Sequence, residues 1–117
     1  MLDTSLLTAV VERFADRLRS APQSRLQRGA AAEALELARE LSVRAQRLEG
    51  PSGGAPPREM PDAGIFVVGD QLVVAGLDLA EALRAAGDGA RDGAEAPSEV
   101  LDEAVRLVER AEVRAMR

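Results

Sequence analysis

Apolar residues recur at steps of three and four along three long stretches of this chain, and that period commits most of it to amphipathic helix. Leu6, Leu7, Val10, Val11, Phe14 and Leu18 form the first stripe, with Asp3, Thr4 or Ser5 available to cap it. The spacing predicts a helix from about Thr4 to Ser20. Pro22 suits a first helical position, and Leu26, Ala30, Ala34, Leu37, Leu41, Ala45 and Leu48 carry a second stripe, supported by Glu40 and Arg44 at i,i+4. It stops at Gly50-Pro51, a C′ glycine followed by a residue that cannot continue a helix. The third stripe, Leu101, Ala104, Val108, Ala111 and Ala115, follows Ser98 as candidate cap, with Asp102 four residues before Arg106.

The segment from Asp62 to Ala86 admits two readings. Ile65 to Val68, then Gly69-Asp70, then Gln71 to Ala75 spell a β-hairpin with a Gly-X turn. Leu77 to Ala86 is plainly helical, however, Asp62 can cap, and a lone two-stranded hairpin is marginal without a sheet to join. The helix is the expected form, with Gly69 and Gly76 on one face where a neighbouring helix can approach closely. The expected fold class is therefore all-α, an up-down four-helix bundle over residues 1–117. An α+β fold is the alternative if 65–75 is a hairpin. The short turn after Ser20 makes the first two helices expected antiparallel neighbours. Gly/Pro-rich composition predicts mobile linkers at about 50–61 and 87–97.

Composition removes many functions. The 117 residues contain no His, Cys, Trp, Tyr, Asn or Lys. Ser-His and Cys-His nucleophile pairs, zinc sites of ordinary ligand type and haem axial histidine are all excluded. Carboxylates with a hard cation, or arginine clamping an anion, remain the chemical options. The net charge is −5, all 15 basic residues are Arg and spread along the chain, and the only aromatics are Phe14 and Phe66, a poor match to nucleic acid. Asn-free, all-Arg, Ala-rich usage fits a GC-rich bacterial genome. An acid stands near the N-terminus where a signal peptide needs positive charge, and the longest near-uncharged stretch, Ala63 to Leu77, contains Asp70 and is too short for a span. No membrane association and a cytoplasmic location are expected.

Four constellations stand out. On the third helix Asp70, Gln71, Asp78, Glu81 and Arg84 share a sector with Val67, Val74 and Leu77, so the outward strip is half apolar. A monomer rarely leaves such a strip open. Phe66, Val67, Val73, Val74 and Leu77 are the candidate interface residues. Second, Glu33-x-x-Glu36, followed by Glu40, and Asp78-x-x-Glu81 place paired carboxylates on two helices. These few positions resemble the all-α nucleoside triphosphate pyrophosphohydrolases, whose helical E-x-x-E and E-x-x-D motifs hold Mg²⁺ against a triphosphate; the order Asp78 before Glu81 inverts the second motif. The resemblance implies a magnesium cage of Glu33, Glu36, Asp78 and Glu81. Third, Asp88, Asp92, Gly93 and Glu99 fall in the register of a calcium loop, although Ala90 stands where an acid is needed. Fourth, Arg25, Arg28, Arg39, Arg44 and Arg47 could line an anion site. Charged helix surfaces produce the last three patterns routinely.

The favoured reading is a non-enzymatic helical interaction or regulatory module that self-associates through the third helix, its partner a second copy or another helical protein, with no cofactor or metal. A magnesium-dependent pyrophosphohydrolase-like enzyme is the competing reading.

Overall fold

The computed structural model describes residues 2–50, 56–87 and 96–117. Four long helices carry them: α1 (Ser5–Ser20), α2 (Ala31–Glu49), α3 (Val68–Ala86) and α4 (Pro97–Ala115). The fold is all-α, with no strand among the described residues, and Val68–Val74 lies inside α3.

Local chemistry sets the helix ends. Asp3 Oδ1 accepts the Ser5 N–H at 2.9 Å at the start of α1. The second periodic stretch divides: Gln23–Arg25 and Leu26–Ala30 make short helical turns that lead into α2 through a kink at Gly29, whose φ of 148° is open to glycine alone. One glycine without a flanking Pro gives no sign of this in the pattern. α3 begins at Val68, six residues after the expected Asp62, because Asp62 Oδ1 accepts the Gly64 N–H at 3.0 Å and Gly64 takes a φ of 102°. A side chain bonded to its own backbone two residues on makes a turn. At α4 the cap position belongs to Ala96, Pro97 is the first helical residue, and Ser98 sits inside the first turn.

Cross-helix pairs fix the direction of each helix. Arg19 meets Asp70 at 2.5 Å while Arg84 donates to Thr4 Oγ1 at 2.6 Å, so α1 and α3 are antiparallel. Arg44 meets Glu103 at 2.7 Å while Arg114 meets Glu33 at 3.0 Å, so α2 and α4 are antiparallel. Arg13 and Arg17 both reach Glu112, and Arg25 donates to the Arg117 carbonyl at 2.7 Å, so α4 runs with α1. The sense is up, down, down, up, which corrects the expected up-down alternation. The reason lies in the connection from α2 to α3. A 19-residue helix is about 28 Å long, a distance that an extended strap rising about 3.3 Å per residue covers easily. The strap does run back along α2: Gln46 bonds the Arg58 backbone in both directions, Arg39 donates to the Met60 carbonyl at 2.8 Å, and Gln71 donates to the Pro61 carbonyl at 2.8 Å. Residues 51–55 of this expected linker, and 88–95 of the second, lie outside the described residues.

Each of α1 and α2 packs on both α3 and α4, and the two barely touch each other. They occupy one diagonal of the bundle, which corrects the expectation that the short turn makes them neighbours. The turns around Gly29 carry the chain across.

The core is filled by Leu7, Val10, Val11, Phe14 and Leu18 of α1, Leu41 with Ala34, Ala38 and Ala45 of α2, Leu72, Leu79 and Leu83 of α3, and Val108 of α4. Leu6, one position off this stripe, is exposed. α3 approaches α1 through Gly69 and Gly76, as their shared face predicts, but the two sites differ in tightness. A Cβ on Gly76 would stand 2.8 Å and 3.0 Å from the two Val11 methyl carbons, whereas one on Gly69 would meet nothing closer than 3.4 Å. Val11 is buried and stiff at χ1, so it cannot swing away. Gly76→Ala is expected to lose about 1–3 kcal/mol to overpacking against about 1 kcal/mol of gained helix propensity, a net destabilisation. Gly69→Ala keeps the gain and is expected to stabilise by up to about 1 kcal/mol. Urea denaturation of the two variants side by side checks the opposite signs.

Candidate interface on the outward face of α3

In the four-cornered bundle α3 turns one face to α1, one to α2 and the strap, and a third to solvent. The solvent face is where the sequence places its half-apolar strip. Phe66 is 73% exposed, Val74 52% and Leu77 48%, with Val67 also exposed and Val73 half-buried at the edge. Phe66 and Val67 precede the first turn of α3, and Val74 and Leu77 follow on the helix one turn apart. All five candidate residues are thus on or beside one strip, four of them exposed. Asp70, Asp78, Glu81 and Arg84 are exposed along the same strip. The other exposed large apolar residues, Leu6 on α1 and Val113 on α4, are single.

The strip holds acids and one arginine whose hydrogen-bonding capacity is only partly used. Arg19 donates to Asp70 Oδ1, and that hydrogen bond is the chief cause that raises the Arg19 pKa. Arg84 gives Nη1 to Thr4. Asp70 and Arg84 are both exposed, and among the described residues each side chain has one hydrogen-bond partner.

The carboxylates of the resemblance do not gather. Glu33 is bound to Arg114, Glu40 to Arg44, Glu36 is exposed, and Asp78 and Glu81 lie on the outward face of α3. Among the described residues no three acidic side chains come together in a way that could hold a metal ion. Asp88, Ala90, Asp92 and Gly93 of the calcium register lie outside the described residues, and Glu99 is an exposed acid in the first turn of α4.

The arginines of the second stretch disperse as well. Arg39 binds Glu59 and the Met60 carbonyl beside a groove of about 680 Å³ between α2, the strap and α3, where Gln71 Oε1 is buried without a partner. Arg44 bridges Glu40 and Glu103, and Arg47 is exposed. Arg25 and Arg28 join Arg114 and Arg117 around a second hollow of about 480 Å³, which Glu33 and Glu36 also line.

One ionic cluster escaped the sequence. Glu112 of α4 is 4% exposed and is gripped by Arg13 at 2.8 Å and Arg17 at 3.2 Å from α1. Burial pushes its carboxyl pKa up, but the hydrogen bonds and charges of the two arginines outweigh that and leave it below the ordinary glutamate value. The available signal was Arg13 and Arg17 themselves, since like charges at i,i+4 repel unless an acid sits between them.

No family model matches the chain, and neither the curated proteins nor the solved structures hold a similar one.

Proposed function

We propose that the protein is a non-enzymatic helical interaction module that works as a homodimer, with the outward face of α3 as its interface. The exposed strip of Phe66, Val67, Val74 and Leu77 supports this reading, because small monomers seldom leave several large apolar side chains along one face in water. Its end charges, Asp70 at one end and Arg84 at the other with Asp78 and Glu81 between them, suit an antiparallel meeting of two copies. Val74→Glu adds a charge to the middle of the strip at a solvent-facing position, so the helix itself tolerates it. The expected outcome is a native mass of one chain at concentrations where the parent chain has the mass of two, with far-UV circular dichroism unchanged. A variant of unchanged native mass contradicts the proposal.

A further inference from the structure

The apolar strip alone would let two copies of α3 meet in more than one register; its charges select one. Asp70 and Arg84 each lie seven residues from Leu77, on opposite sides, about 10 Å along the helix. We infer, resting on the homodimer reading above, that two α3 helices cross antiparallel about a two-fold axis at Leu77, pairing Asp70 with the partner's Arg84 and Arg84 with the partner's Asp70.

Among registers that overlap Val74 and Leu77 of the two copies, the one at Leu77 sets Asp70 directly opposite Arg84 twice, with Asp78 beside its own copy near the axis as its one like-charge contact of the same kind. A parallel pair sets Asp70, Asp78 and Glu81 each against its own copy. An antiparallel pair shifted so that Val74 meets the partner's Leu77 sets Asp70 against the partner's Glu81. Like charges brought together at an interface are strongly unfavourable, and interfaces use this to fix register. With the axis at Leu77, two ion pairs form at no cost to the fold's own bonds. Among the described residues Arg19 occupies only Oδ1 of Asp70, and Thr4 takes only Nη1 of Arg84. Val74 and Leu77 then form the apolar centre, ringed by the charged pairs.

Charge reversal tests the register separately from the association. By sedimentation equilibrium, Asp70→Arg and Arg84→Asp are each expected to weaken self-association about tenfold or more, because each sets like charges together twice. The double variant Asp70→Arg/Arg84→Asp, which reverses both pairs, is expected to recover to within about threefold of the parent chain. A parallel pair, in which each single variant only changes the sign of a like-charge contact, would be weakened by neither, and the shifted antiparallel pair would be tightened by Asp70→Arg alone, so either result overturns the register. An equimolar mixture of the two single variants is expected to associate when neither does alone, a result that misfolded chains could not give. A parent chain that stays monomeric overturns the homodimer reading itself, whereas a dimer indifferent to these charges overturns only the register.

Discussion

Phe14→Ala is expected to cost about 3–5 kcal/mol of folding free energy, while Phe66→Ala costs the monomer almost nothing. The chain has only these two aromatics, and the structure gives them opposite roles. Phe14 is fully buried on the inward face of α1, among the largest side chains of a core otherwise built from leucine, valine and alanine. Deleting its ring removes transfer free energy and leaves a cavity that four packed helices cannot close. Against a total stability typically of about 5–15 kcal/mol, such a loss leaves the variant near its unfolding threshold. Phe66 sits before α3 in water, so its removal takes away contact area only when a partner is present. Urea unfolding at low protein concentration should show the large shift for Phe14→Ala alone. A comparable loss for Phe66→Ala would mean that this ring packs into its own chain.

Arg13→Ala/Arg17→Ala is expected to destabilise at neutral pH by about 2–3 kcal/mol, lowering the midpoint by about 10 °C. Removing both partners leaves the buried Glu112 carboxylate without compensation. The loss stays below the full cost of an orphaned buried charge because both arginines are half-exposed, and water can enter where they stood. The pH dependence identifies the cause. Glu112 has a folded-state pKa below its unfolded value of about 4.3, so its contribution is complete above that value and is lost as pH falls through the folded pKa. Parent and variant should therefore converge in acid, where Glu112 is protonated in both. Glu112→Leu, which replaces the ion by an apolar group and frees the arginines to water, is expected to change stability little. Thermal melts of the three chains over a falling pH series check the pattern, and a gap that does not narrow as the pH falls would show that the arginines act through packing alone.

What the sequence conveys and what it conceals follow the range of the interactions. Helix content is local: the stripes through Phe14, Leu41 and Val108 and the stop at Gly50 need only near neighbours, and the structure follows them. The close approach at Gly76 is also readable, since Gly69 and Gly76 stand seven residues apart on one helix face. The break at Gly29 is not, because the pattern on both sides continues in phase through it. Direction and neighbour order are long-range properties. Nothing in Arg58 to Pro61 announces that Gln46, Arg39 and Gln71 will hold that strap against the bundle and turn α3 parallel to α2. Glu112 was hidden because an acid four residues from Val108 reads as solvated until α1 is placed beside it. The strip on α3 was legible for the opposite reason: an exposed face is defined by what its own helix leaves over.

The most direct test of the homodimer is sedimentation equilibrium of the unmodified chain over a dilution series from about 100 μM to below 1 μM, at moderate salt. A reversible monomer-dimer equilibrium, with the dimer dominant at the upper end and abolished by Val74→Glu, is the predicted result. A single species of 12.4 kDa at every concentration would contradict it.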